Sequence, residues 1–204
     1  MELPQPRRLN LDEFLEIDAG SDERLEYRGG FIVAQATPSK NHARIAGNLA
    51  MHLGPLARVS GCDFFAGDAK VATPDGSRVI PDFVVTCDPR DRDAADERGE
   101  AIVRHPWLVV EILSPATAAD DTTQKLDLYE SIPGLTHFVV IDSRRRAIRL
   151  YERSDAGGFL THHSLESLFL PAPLDRALSL DAIYGDTTVP VGGAVCYASE
   201  RDDE

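Results

Sequence analysis

The chain has 204 residues, 43% of them hydrophobic and 27% charged, with 34 acidic against 21 basic side chains and a formal net charge of −13. That composition suits a globular protein with one sizeable core, and no apolar run approaches the roughly 20 residues that cross a bilayer, so no membrane partner is expected. The acidity argues against an evenly basic surface for gripping duplex DNA, because neutralised phosphates supply much of that affinity.

The first eight residues, Met1 to Arg8, lack the apolar stretch of a secretion signal. Asn10 or Asp12 caps a short helix with Leu11, Phe14, Leu15 and Ile17 on its apolar face. Arg24–Arg28 and Phe31–Gln35 read as the arms of a hairpin around Gly29-Gly30. A longer helix opens at Ser39, carries Ile45, Leu49, Leu53 and Leu56 at helical spacing, and closes at Gly61. Short strands follow at Cys62–Ala66 and Lys70–Ala72, then a turn at Thr73–Ser77. Arg78–Cys87 is an apolar strand interrupted by Pro81-Asp82. The acidic run Asp88–Glu100 reads as a solvated loop, as does the acid of the tail Glu200–Glu204. Trp107–Leu113 is a buried strand ended by Ser114-Pro115. Thr117–Ser131 is a helix stopped by Pro133-Gly134, and His137–Asp142 is a further buried strand. Ala147–Arg153 and Gly158–His163 form an antiparallel pair. A strand, a helix and a strand over residues 107–142 imply a crossover and a parallel pair.

The fold class is therefore α/β, or mixed α+β, with a mixed central sheet flanked by helices and an N-terminal β-hairpin. One domain is expected over 1–204, with its core at roughly 10–185 and a flexible acidic tail at 196–204. Cys62, Cys87 and Cys196 make neither a CxxC pair nor a metal-ligand spacing, which fits a reducing, cytoplasmic compartment. Arg144, Arg145, Arg146 and Arg149 offer one basic face.

Two acids stand out. Asp82 sits between Ile80 and Phe83-Val84-Val85, and Glu111 sits between Val110 and Ile112 in an enclosed strand. A buried carboxylate must be paired, protonated or bound to a cation. Either acid could pair with an arginine, such as Arg78 or Arg104, or lie at a solvent-facing strand end. Two such acids in successive strands also make a shared hard cation attractive, since Mg²⁺ is often held by one or two carboxylates plus phosphate and water. Lys125, fourteen positions after Glu111 and on the next helix, could reach back towards that ion. Alone, a helical lysine is a solvated surface residue. His162-His163 reads as a solvent-facing strand end, Ser114-Pro115 lacks a nucleophile-elbow pattern, and no glycine-rich phosphate loop is present.

Pro81-Asp82-Phe83-Val84-Val85, then Leu108–Thr117 with Glu111, Ser114 and Pro115, then Asp121, Lys125 and Tyr129, resemble the Uma-type restriction endonucleases, a branch of the PD-(D/E)xK nuclease superfamily. Leu25-Glu26-Tyr27, Gly30–Val33 and the helix bearing His42 resemble that family's N-terminal hairpin and following helix. The likeness covers roughly residues 10 to 185. It implies a restriction-endonuclease-like core in which Asp82 and Glu111 are metal ligands. The superfamily's usual lysine would fall at Leu113, so Lys125 would take its place from the helix. Glu26 would be an additional acid of the site, and His42 would hold a water or a phosphate. The implied activity is hydrolysis of DNA phosphodiesters with Mg²⁺ or Mn²⁺, the carbonyl of Ile112 serving as a further ligand and Glu26 recruiting a second ion or orienting the first. A homodimer would suit cutting of both strands. Residues 116–124 are less basic here than in relatives. Two rivals follow: the same chemistry on RNA or small phosphoesters, or a nuclease-fold binding or assembly module without hydrolysis.

Overall fold

The structure, a computed structural model, describes residues 7–92, 100–114, 120–163 and 166–191. Helix α1 (Leu11–Ala19) is opened by Asn10: its side chain accepts the Glu13 amide, and the Glu13 carboxylate accepts the Asn10 amide, both at 2.9 Å. This reciprocal box satisfies two donors that a helix start otherwise leaves unpaired. Strands β1 (Leu25–Arg28) and β2 (Phe31–Ala34) pair through a turn in which Gly29 and Gly30 hold φ of +54° and +97°, the left-handed conformations a two-residue hairpin demands. In α2 (Lys40–Val59), capped by the Ser39 hydroxyl, the fully buried stripe is Ile45, Leu49, Leu53 and Ala57. A strict i, i+4 row thus continues to Ala57, and Leu56 packs only at its margin.

The remaining elements are β3 (Asp63–Ala66), β4 (Lys70–Ala72), β5 (Arg78–Val79), β6 (Phe83–Thr86), a single turn α3 (Pro89–Arg92), β7 (Ile102–Val103), β8 (Leu108–Leu113), α4 (Asp120–Glu130), β9 (His137–Asp142), β10 (Ile148–Arg153), β11 (Phe159–His163), β12 (Ser167–Leu170), β13 (Arg176–Ser179) and α5 (Leu180–Tyr184). A six-stranded sheet runs in the order β11-β10-β9-β8-β6-β3, a five-stranded one in the order β2-β1-β5-β4-β7, and β12 pairs with β13. In the larger sheet β8 and β9 are parallel and the other neighbours antiparallel, so the mixed sheet with flanking helices is borne out. The expected helix start at Thr117 and the tail at 196–204 lie outside the described residues. The stretch from Ser167 to Tyr184, for which the sequence reading names no element, adds a hairpin and a helix to one face of the core.

One predicted strand proves to be two. Arg78–Cys87 divides at Ile80-Pro81-Asp82, and its halves β5 and β6 belong to different sheets. Proline cannot donate to a ladder, so the chain leaves one sheet there and enters the other. The central strands alternate. Phe83, Val85, Leu108, Val110, Val139 and Ile141 pack on the side of α2 and α5. Val84, Val109, Leu113, Phe138 and Val140 pack on the side of Tyr129 and Ile132. Both faces are covered, which is why these strands read as continuous apolar runs.

Three expectations are corrected. Cys62 and Cys87 form a disulfide, because they flank the β3–β6 register (Asp63 opposite Thr86) and so face each other across the ladder. A sequence separation of 25 conceals that neighbourhood, and the argument from cysteine spacing for a reducing compartment no longer holds. Within the acidic run, Asp91 is buried rather than solvated. Its carboxylate accepts the amides of Arg104 and His105 at 2.9 and 2.8 Å and the Thr86 hydroxyl at 3.0 Å. The basic face is also largely neutralised: Arg144 and Arg145 both bind Asp142, and Arg146 binds Asp181.

Candidate active site

The break between β5 and β6 places Asp82 one residue before the first β6–β8 pair, Phe83 opposite Val110, and therefore across from Glu111. Asp82 uses both oxygens. Oδ2 accepts the Ile112 amide at 2.6 Å, and Oδ1 lies 3.0 Å from His42 Nε2. His42 is there because Ser39 caps α2 and accepts the His42 amide, aiming the first helical turn at the strand end. The Ile112 side chain is buried in the core, so only its backbone faces the acids.

Glu111 points to the opposite face from Val110, beneath α4. Its Oε1 accepts Lys125 Nζ at 2.8 Å and the Tyr129 hydroxyl at 2.6 Å. Lys125 also lies 3.3 Å from Glu26 Oε1, so the ammonium bridges acids from two different sheets. Glu26 is fully buried and heavily engaged: Oε1 accepts the Ile80 backbone amide at 2.8 Å and the Gln35 side-chain Nε2 at 3.0 Å, while Oε2 accepts Arg28 Nε at 2.7 Å. Gln35 in turn donates to the Ile80 carbonyl at 2.6 Å, tying the hairpin to the crossing strand. Asp82, His42, Glu111, Lys125 and Glu26 thus form one continuous cluster. Among the described residues neither Asp82 nor Glu111 is held by an arginine; Arg78 instead donates to the carbonyls of Gly76 and Ser77.

Electrostatics separates the two glutamates. Burial pushes the Glu111 carboxyl up; Lys125 opposes this, the Asp82 and Glu26 charges reinforce it, and the result is about 7. Burial pushes Glu26 up as well, but the Lys125 and Arg28 charges and the Ile80 amide outweigh it and hold Glu26 below the ordinary range. Glu26 is thus a settled anion, and Glu111 an acid whose ionised form gains from further positive charge.

The donor chemistry fits a hard divalent ion. One carboxylate stands just ahead of β6 and the other on β8, its ladder neighbour, and Glu111 Oε2 accepts no hydrogen bond from the described residues. No group of three or more His, Cys, Asp or Glu side chains converges as a closed cage among those residues. Such an open set is what Mg²⁺ uses when water and phosphate complete its shell.

Sequence reasoning gives no role in the site to Tyr129, which it names only within the motif, nor to Gln35 or Arg28. Tyr129 carries a legible signal, standing one helical repeat after Lys125. Gln35 carries none, since only the crossing of the two sheets brings it to Glu26.

The fold and site together define a mixed α/β protein of nuclease-like architecture. The family model Uma2, described as "Putative restriction endonuclease", matches residues 11–182, and the chain belongs to that family. It is 31% identical over 180 residues to the Synechocystis protein named "Uncharacterized protein slr1290", covering 87% of this chain and 92% of the relative. A second Synechocystis protein, "Uncharacterized protein sll1609", is 27% identical over 146 residues, covering 71% of this chain and 81% of the other. A crystal structure titled as a "putative nuclease belonging to DUF820", from Anabaena variabilis, shares the fold with a TM-score of 0.67 at 21% identity, covering 88% of this chain and 98% of that one.

Proposed function

We propose that this protein is a metal-dependent endonuclease that hydrolyses DNA phosphodiesters. The observation that carries the reading is the pair Asp82, just ahead of β6, and Glu111, across from it on β8, with Lys125 bound to Glu111. Family membership and the nuclease-like neighbour support it.

Asp82, Glu111 and the carbonyl of Ile112 would hold Mg²⁺ or Mn²⁺. A divalent ion there supplies Lewis-acid polarisation of the phosphoryl oxygen and a more acidic water. The protein's own groups do the rest. Lys125 donates to the attacking water or to charge growing on the phosphorane oxygens, a preorganised contact in a partly dry site. Glu26, itself held by Arg28, Gln35 and the Ile80 amide, keeps the Lys125 ammonium in place. That anchoring role accounts for its complete burial better than recruitment of a second ion. His42, at the first turn of α2, orients Asp82 through Nε2 and would hold a water or a phosphate oxygen beside it.

The test is cleavage of a labelled duplex in Mg²⁺ by wild type and by Asp82→Ala, with labelled RNA and nucleotide esters run alongside. Undiminished cutting by Asp82→Ala refutes the assignment, and cleavage confined to RNA or nucleotides replaces the substrate. A second reading, a nuclease-fold binding or assembly module without hydrolysis, draws support from the net charge of −13 and from the pairing of Arg144, Arg145 and Arg146 with acids. It predicts weak or absent Mn²⁺ affinity by calorimetry. A two-fold dimer would serve double-strand cutting, and light scattering in solution tests it.

A further inference from the structure

We infer that Tyr129 is a positioning residue that decides which oxygen of Glu111 is left for a metal ion, an inference that rests on the hydrolase reading above. Lys125 and Tyr129 are one helical repeat apart on α4, and both donate to the same atom, Glu111 Oε1, at 2.8 and 2.6 Å. Oε2 accepts no hydrogen bond from the described residues, yet it is not among the unpartnered side-chain atoms sealed from solvent. One oxygen is therefore closed inwards by two donors and the other is presented outwards.

Lys125 cannot enforce this alone. Its ammonium is shared with Glu26, and the terminal torsion of a glutamate is broad and nearly two-fold, so a carboxylate held by this one shared donor can still exchange its oxygens. The phenol is different. Tyr129 is fully buried, and its ring packs against Phe138 with centroids 4.8 Å apart, which leaves the hydroxyl a single position. It donates to Glu111 from a fixed point and turns a rotating acid into a directed ligand. Groups that orient a metal ligand in this way typically contribute 10- to 100-fold in affinity or activity.

Tyr129→Phe removes the hydroxyl and keeps the ring. The experiment is Mn²⁺ titration of the full chain by calorimetry, for wild type, Tyr129→Phe and Tyr151→Phe. The last removes a second buried phenol from the same core, one whose hydroxyl contacts Arg149 and not Glu111. The expected result is Mn²⁺ affinity weakened by about 10-fold in Tyr129→Phe, wild-type affinity in Tyr151→Phe, and a fall in kcat with KM for DNA unchanged. Wild-type affinity in Tyr129→Phe, or equal weakening in Tyr151→Phe, overturns the inference while leaving the hydrolase reading standing. A wild-type chain that binds no Mn²⁺ overturns both.

Discussion

Glu111 and Asp142 are two buried acids near the ends of neighbouring parallel strands, and they are built to opposite effect. The β8–β9 register sets Glu111 against Val140 and Asp142 against Leu113, so they lie within one turn of the ladder. Asp142 has both oxygens filled: Arg144 donates through Nε, Nη2 and its amide, and Arg145 adds a further bond. Burial pushes its carboxyl up, but the Arg144 bonds and both guanidinium charges more than reverse this. Glu111 has one lysine, one phenol and two other acids for neighbours, and burial carries it the other way. Burial alone therefore does not mark a site. An acid saturated by arginines is an anchor, whereas an acid crowded by acids with an oxygen to spare is where another cation is welcome.

Removing each acid in turn sharpens the contrast. The largest expected effect is on cleavage: Asp82→Ala or Glu111→Gln lowers the Mg²⁺-dependent rate by roughly 10³-fold or more, about 4 kcal/mol of barrier, measured on a labelled duplex. Asp142→Asn leaves that rate at the wild-type level. In urea denaturation the order inverts. Asp142→Asn costs about 1–3 kcal/mol because charged hydrogen bonds are lost and two arginines lose their counterion, while Glu111→Gln costs less, since the amide keeps an acceptor for Lys125 and Tyr129. Equal stability losses for the two variants would break the comparison.

A smaller effect is expected in acid. Asp142 is held below the ordinary aspartate value of 3.8, so the folded state binds its proton less readily than the unfolded chain. Its contribution is complete above that value and lost as pH falls through the folded pKa. Wild-type stability should drop across this range more steeply than that of Asp142→Asn, followed by urea midpoints against pH. The smallest effect concerns His137, whose ring lies tilted at 46° against Trp107 and which burial holds below its ordinary 6.5, with Glu152 opposing. The unfolded chain takes this proton first, so stability is full above 6.5 and declines as pH falls towards the folded value. His137→Phe should flatten the change in thermal midpoint between about pH 7 and 5.

Much of the fold was legible because its signals are local. Asn10 with Glu13, Gly29-Gly30, Ser39 and the row through Ile45, Leu49 and Leu53 specify caps, a turn and a buried helix face without reference to the rest of the chain. Asp82 and Glu111 were legible for a related reason: a charge inside an apolar run is visible wherever the run goes. Asp142 escaped notice because it closes its strand, where an acid looks ordinary, and Asp91 because its neighbours in sequence are polar.

What the sequence by itself determined are most of the elements up to His163, their apolar faces and the two misplaced carboxylates, since each depends on signals along one segment. Only the tertiary structure decided that residues 78–87 serve two sheets, that Cys62 meets Cys87, that Gln35 and Arg28 hold Glu26, and that Lys125 bridges acids from both sheets. Those facts depend on register and on the packing of one sheet against another, and contacts between segments distant in the chain leave no period for a sequence to display.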